Sequence, residues 1–328
     1  MRIYLKKGIA VDTDHFHVPD GEFYIQVMRD YCTEKYIYPG DVIKYKLDCE
    51  LVSLYDTLRD FFFENTEEYY RELNLTPIFV QAVGQDSDCA LTADEFAQRI
   101  QESAFTQLPN CYRHLYLVDC QFLVGSIQNL LVSMEDIFCD FYVRITTLGK
   151  SISPTNPNVV MMESSPNVIS LVSLLETYFV KSYSILDRFC KIAYELEYPM
   201  ADFEKYKKMK SAKVLWGDRK RLSINHQPGT VFEECELIDT IESLRNEVVH
   251  NGSWELHPQL FVVYQEGEIV ERYLLFPDIE QGHLACVKNR KHFFGSNNKV
   301  NERLWQIHSE FAKRVLTTAE YINKKYGN

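Results

Sequence analysis

Ser165-Pro166-Asn167-Val168-Ile169-Ser170-Leu171-Val172-Ser173-Leu174-Leu175-Glu176-Thr177-Tyr178-Phe179 is the stretch on which the fold turns. Ser165 is placed to cap a helix, its side-chain oxygen accepting a first-turn N–H, and Pro166 suits the first helical position, where no donor is needed. Apolar residues then recur at Val168, Leu171, Val172, Leu175, Phe179, Leu186, Phe189, Ala193 and Leu196. That three-to-four spacing predicts an amphipathic helix over 165–196.

Working outward, the same period appears on both sides. Tyr116, Cys120, Leu123, Ile127, Leu131, Met134, Phe138, Phe141 and Ile145 mark a helix over 113–146, about 50 Å long at ~1.5 Å per residue. Leu47, Leu51, Leu54, Leu58 and Phe61 or Phe62 predict one amphipathic helix over 47–75, and Thr92-Ala93-Asp94-Glu95 is a capping box that opens a helix running to about 104. Residues 232–250 form another, stopped by Asn251-Gly252. Val300, Leu304, Ile307, Phe311, Val315 and Ile322 mark a C-terminal helix. Leu260–Tyr264 and Ile269–Phe276 flank Glu266-Gly267 and read as a β-hairpin. Residues 147–167, with Gly149, Pro154, Pro157 and Pro166, read as a domain boundary or a long connection. Residues 1–46 read as irregular or short-stranded, with turn signals at Pro19-Asp20-Gly21 and Pro39-Gly40. Helices with one apolar face each hide those faces against one another. The expected fold is mainly α: a helical bundle over 111–328 with a hairpin insertion, behind a mixed, mostly helical N-terminal region, 1–110.

Composition bounds the function. The chain has 328 residues, 46% hydrophobic and 25% charged, enough apolar material for about two domains with sizeable cores. Thirty-five basic against 47 acidic residues give a net charge of −12, which excludes a uniformly basic nucleic-acid coat but not a local patch. No stretch approaches ~20 uninterrupted apolar residues, and Met1-Arg2-Ile3-Tyr4-Leu5-Lys6-Lys7 lacks the apolar run of a signal peptide. A cytoplasmic protein without a membrane span is the expectation. The nine cysteines are scattered without a CxxC pair and read as reduced thiols.

Chemistry concentrates in Leu244-Arg245-Asn246-Glu247-Val248-Val249-His250-Asn251-Gly252. Leu237, Ile241, Leu244 and Val248 are expected to face the core. Arg245 and His250, five residues apart, differ by about 140° and ~7.5 Å of rise, so both can border one groove. Histidine titrates near neutrality, and arginine offers a permanent planar fork suited to phosphate. Together they are the minimum for cleaving RNA without metal. The imidazole would take the 2′-OH proton or protonate the leaving 5′-oxygen, and the guanidinium would hold charge on the phosphorus oxygens.

Arg245-Asn246-Glu247-Val248-Val249-His250 resembles the R-x4-6-H signature of the HEPN superfamily, many members of which carry Asn, Asp or His directly after the Arg, as Asn246 does here. Tyr183-Ser184-Ile185-Leu186-Asp187-Arg188 resembles part of the first bundle helix of such domains. The resemblance implies a HEPN-like bundle over the C-terminal half at most. It also implies a metal-independent endoribonuclease that needs no cofactor, acts as a toxin, antiviral effector or RNA processor, and dimerises so that two motifs line one cleft. A regulatory protein partner fits the same picture. His250 is followed by Asn251 and Gly252, not by the His-x-Tyr extension of versions regulated by nucleotidyl transfer. The rival reading is a non-catalytic HEPN-like module that binds RNA, a nucleotide or a protein, with His250 serving the helix end and Arg245 an ion pair.

A local basic run accompanies the motif: Lys205, Lys207, Lys208, Lys210, Lys213, Arg219, Lys220 and Arg221, opposed by Asp218 alone and interleaved with Tyr206 and Trp216. Such a patch can hold an RNA backbone and stack bases; its bland alternative is a solvated helix and loop. Lys288-Asn289-Arg290-Lys291-His292, beside Phe293 and Phe294, is a smaller run of the same kind. In Asp12-Thr13-Asp14-His15-Phe16-His17 the Asp pair and the His pair are each spaced by two, as a strand would align ligands, but no second cluster supports them, and no metal is expected. Gly149-Lys150-Ser151 is not a P-loop, because Arg144 stands where the upstream glycine belongs. Trp305 and His308, three apart, read as one packed helix face.

Overall fold

The computed structural model describes residues 2–4, 10–12, 28–29, 36–37, 42–85, 87–148, 154–200, 202–203 and 222–327. The protein is mainly α. Among the described residues the α-helices are α1 (Val42–Phe62), α2 (Thr66–Leu75), α3 (Ile78–Ala82), α4 (Ala93–Glu102), α5 (Cys111–Thr147), α6 (Pro166–Glu197), α7 (Glu236–Asn251) and α8 (Val300–Tyr326). Near the N-terminus, β1 (Arg2–Tyr4) pairs antiparallel with β2 (Ala10–Asp12), and β3 (Met28–Arg29) with β4 (Tyr36–Ile37).

Two sequence expectations need correction. The stripe over 47–75 is two helices, because Asn65 interrupts it. Its side chain accepts from the backbone N–H of Glu67 at 2.9 Å and of Glu68 at 3.3 Å, capping a fresh helix. Segment 147–167 is not all connection. Val159–Glu163 form β5, which joins the expected hairpin, β6 (Leu260–Gln265) and β7 (Glu268–Tyr273), in a three-stranded antiparallel sheet ordered β5-β6-β7. Val-Val-Met-Met suits a strand, and Asn158 Oδ1 accepts the Glu266 N–H at 2.9 Å, tying β5 to the hairpin turn. Elsewhere local devices set the ends as anticipated. Thr92 Oγ1 accepts from Glu95 N at 3.3 Å and Glu95 Oε2 from Thr92 N at 2.8 Å, completing the capping box.

The chain divides into two units, though not at residue 110. The first comprises Met1–Lys46, Leu130–Ile185 and Pro228–Val315; the second comprises Leu47–Asn129, Leu186–Gln227 and Leu316–Asn328. Helices α5, α6 and α8 each contribute segments to both. Within the first unit, parts of α5, α6, α7 and α8 form a bundle around Phe138, Phe141, Leu171, Leu175, Phe179, Ile241, Leu244, Leu304 and Phe311, all buried. His308 lies in that core, stacked on Phe138 at 4.4 Å with its Nδ1 3.1 Å from the Tyr178 hydroxyl, so the Trp305/His308 face is a packed one. The Tyr142 hydroxyl donates to Asn301 O at 3.0 Å. Within the second unit the buried residues include the α1 leucine stripe, Leu47, Leu51, Leu54 and Leu58, Tyr116, Leu117 and Val124 of α5, and Phe189 and Ile192 of α6, and Phe62 of α1 meets Tyr116 of α5 edge-on at 5.9 Å. Asn323 ties α8 to α1 by donating to Glu50 O at 2.9 Å and accepting from Thr57 Oγ1 at 2.9 Å.

By length and composition, Cys111–Ile145 and Pro166–Glu197 are each apolar enough to cross a membrane, with mean hydropathy 1.4 and 1.2 over their best windows. Polar residues punctuate both, so neither contains a long uninterrupted apolar run. A helix serving the core of a larger protein meets the same measure.

Candidate functional site at the end of helix α7

Helix α7 starts with acidic residues, Glu236 and Asp239, and ends with His250 in its last turn, both favourable to the helix dipole. Gly252 stops it at φ +89°, a left-handed conformation suited to glycine, with its N–H bonded to Val248 O at 3.0 Å. The buried face is Ile238, Thr240, Ile241, Leu244 and Glu247. It is turned one residue from the expected stripe: Leu237 and Val248 are half-buried, and the position expected of Val248 belongs to a carboxylate.

Arg245 is held on two sides. Its guanidinium lies 4.7 Å from the centre of the Tyr183 ring on α6, and its Nη1 donates to Asn246 Oδ1 at 2.8 Å. Asn246 therefore fixes Arg245 directly. A guanidinium has five N–H groups, and Asn246 takes one. Arg245 is half-buried and His250 is exposed, so both reach solvent from the last two turns of one helix.

Sequence reading missed the charge network beneath them. Glu247 is buried, yet its carboxylate meets Lys291 Nζ at 2.7 Å, His292 Nε2 at 2.9 Å and Asn251 Nδ2 at 2.9 Å. Burial alone would raise its pKa. The hydrogen bonds from Lys291 and His292 outweigh that and hold it below the usual carboxylate range. The smaller basic run is thus brought against the motif helix, although part of its charge is neutralised there.

Two further acids flank the end of α7. Burial pushes the Glu255 carboxyl up to about 7. Glu176 on α6 is also raised by burial, against the opposing hydrogen bond of Ser253. Ser253 donates to Glu255 O and accepts the Glu255 N–H, each at 3.0 Å, and the buried Trp254 meets Phe179 edge-on at 5.7 Å. Together with Arg245 over Tyr183, these contacts show α6 and α7 running antiparallel. An acid titrating near neutrality stands five residues beyond His250, and no sequence signal marks it.

The turn between β8 (Ile279–Glu280) and β9 (His283–Leu284) packs on the first half of α7. Ser243 Oγ donates to Gly282 O at 2.9 Å. Gly282 has φ +83°, and a Cβ there would come within 2.3 Å of the Asp239 Cβ, so only glycine fits.

Lys207, Lys208, Lys210, Lys213, Arg219, Lys220 and Arg221 lie outside the described residues. So do Asp14, His15 and His17, and the Gly149-Lys150-Ser151 segment. Among the described residues no group of three or more His, Cys, Asp or Glu is placed to hold a metal. Comparison with protein-family models, curated proteins and solved structures found no match to this chain.

Proposed function

We propose that the protein is a metal-independent endoribonuclease of HEPN type. What carries the reading is the placement of Arg245 and His250 at the solvent-reaching end of one helix, with the guanidinium steadied by Tyr183 and Asn246. The ribose 2′-oxygen attacks phosphorus while an imidazole removes its proton; the P–O5′ bond breaks and the 5′-oxygen takes a proton. The products are a 2′,3′-cyclic phosphate and a 5′-OH. Arg245 stabilises charge on the non-bridging oxygens of the phosphorane. His250 is the acid/base group, and a homodimer would bring a second imidazole for the opposite transfer. With Asn246 Oδ1 engaged by Arg245, its amide N–H groups are the part that would meet phosphate.

The basic residues from Lys207 to Arg221 would hold the RNA backbone, and Lys291 extends positive charge toward α7. A role as a cytoplasmic toxin or antiviral effector under a protein partner's control belongs to the same reading. The test is labelled RNA in excess EDTA, with wild type beside Arg245→Ala and His250→Ala. Cleavage to cyclic-phosphate ends, lost in both folded variants, supports the enzyme. RNA or partner retention without cleavage supports instead the binding module, in which Arg245 and His250 recognise and do not react.

A further inference from the structure

The second unit contains a cavity of about 310 Å³ between α1, α2, α3 and α5. Its size falls at the lower end of small-molecule sites. Tyr55, Tyr69 and Phe122 supply aromatic surface; Gln85 and Gln121 supply carboxamides; none of the lining side chains is charged in its ordinary state near neutral pH. His114 forms part of the wall. It is 1% exposed, stacks on Tyr69 with ring centres 5.6 Å apart, and meets Phe63 edge-on. Neither of its ring nitrogens has a hydrogen-bond partner among the described residues.

That combination is unusual. A buried imidazole with neither nitrogen satisfied is destabilising unless something supplies the missing partners. Burial lowers its pKa, so the ring is neutral, one nitrogen donating and the other accepting. The carboxamides have capacity left as well. Gln121 Nε2 donates to Tyr55 O at 3.4 Å and Gln85 Nε2 to Asp119 Oδ1 at 3.3 Å, and both leave a carbonyl oxygen to accept. Phe122, 42% exposed, stands at the mouth.

We infer that this cavity binds an uncharged planar heterocycle of the nucleobase class, its edge hydrogen-bonded by His114 and the glutamine carboxamides and its face stacked on the aromatic rings. Neutral donors and acceptors match the edge of a base, and aromatic rings match its face. A phosphate or an amino-acid zwitterion finds no counter-charge in the lining, so any phosphate must remain outside. The same base could arrive as a free nucleoside or as a nucleotide of an RNA strand. This site does not depend on the α7 reading: its residues lie on α1, α2, α3 and α5 and, for Gln85, in the turn after α3.

The full-length protein is titrated by calorimetry with adenosine, guanosine, cytidine and uridine, with their 5′-monophosphates, and with a short RNA made uncleavable by 2′-O-methylation. His114 ring signals are followed by NMR, assigned by their loss in His114→Phe. Saturable binding of at least one nucleoside, with movement of the His114 signals, is expected. His114→Phe keeps the stacked ring and removes the polar edge, and should weaken binding about tenfold or more. Phe122→Ala, at the exposed mouth, should weaken it about tenfold without endangering the fold. Binding should persist in Arg245→Ala and His250→Ala. If only the oligonucleotide binds, and does so through His114 and Phe122, the source is a base of a strand. If no nucleoside or oligonucleotide moves the His114 signals, or if His114→Phe and Phe122→Ala bind as wild type does, the inference is overturned.

Discussion

At the end of α7 a buried carboxylate, Glu247, has three partners, Lys291, His292 and Asn251; in the second unit a buried imidazole, His114, has none among the described residues. Both groups sit on long amphipathic helices and both are almost closed to water. The difference lies in what each region spends its polarity on. Around Glu247 an ammonium, an imidazole and an amide all meet the carboxylate, so the network braces the helix that carries Arg245 and His250. Around His114 the donor and acceptor are left open toward a cavity. A satisfied polar cluster reads as support for a surface site, and an unsatisfied one as a site in its own right.

Variants can break or sharpen that contrast. The largest expected effect is on chemistry: Arg245→Ala or His250→Ala should lower metal-free RNA cleavage about 100-fold or more, measured as cyclic-phosphate ends. Removing the braced carboxylate comes next. Glu247→Ala strands Lys291 and His292 and should destabilise the protein by about 2 kcal/mol in urea unfolding. An unchanged midpoint would mean that the network holds nothing.

Glu255 gives a pH-dependent test. Its folded pKa is raised to about 7, above the unfolded value. The folded state therefore binds the extra proton, and this group's contribution to stability falls as pH rises from about 4.5 to 7. Glu255→Gln should remove that slope, matching wild type near pH 4.5 and exceeding it at pH 8 by about 1 kcal/mol after allowance for solvent screening. Glu247 runs the other way: its lowered pKa gives a contribution present above the unfolded value and lost as pH falls through the folded one. The smallest effect should come from His114→Phe. In the absence of ligand it replaces an unsatisfied ring by an apolar one and should stabilise by about 1 kcal/mol. A loss of stability would show that the imidazole has a partner after all.

Features that rest on neighbours in sequence are legible before any coordinates. Ser165-Pro166, the Thr92/Glu95 box and the Asn251-Gly252 stop all mark real helix ends, although Ser165 marks its end without the expected cap: its hydroxyl has no hydrogen-bond partner among the described residues, and its backbone carbonyl instead accepts the Val168 and Ile169 N–H groups. The hairpin about Glu266-Gly267 is legible because it too rests on neighbours in sequence. The break at Asn65 escapes notice because the apolar period runs on through Phe61 and Phe62, and a single capping side chain is a small signal against it. Strand β5 escapes because its partner lies about a hundred residues away, and pairing at that distance leaves no local mark. Arg245, Asn246 and His250 stand out by type and spacing. Glu247 looks like one more surface acid until Lys291 and His292, more than 40 residues on, are brought to it. Tyr183 under Arg245 depends on how α6 meets α7, and the raised Glu255 on its half-buried surroundings, neither of which spacing alone determines.

The turn at Gly282 meets Asp239 with no room even for a methyl group, so α7 is wedged at its N-terminal end. Towards its other end the same helix is anchored separately, by buried Leu244 and by the contacts of Glu247. Gly282→Ala must therefore lift the β8–β9 turn off Glu236 and Asp239, a loss that should appear as a lower urea midpoint.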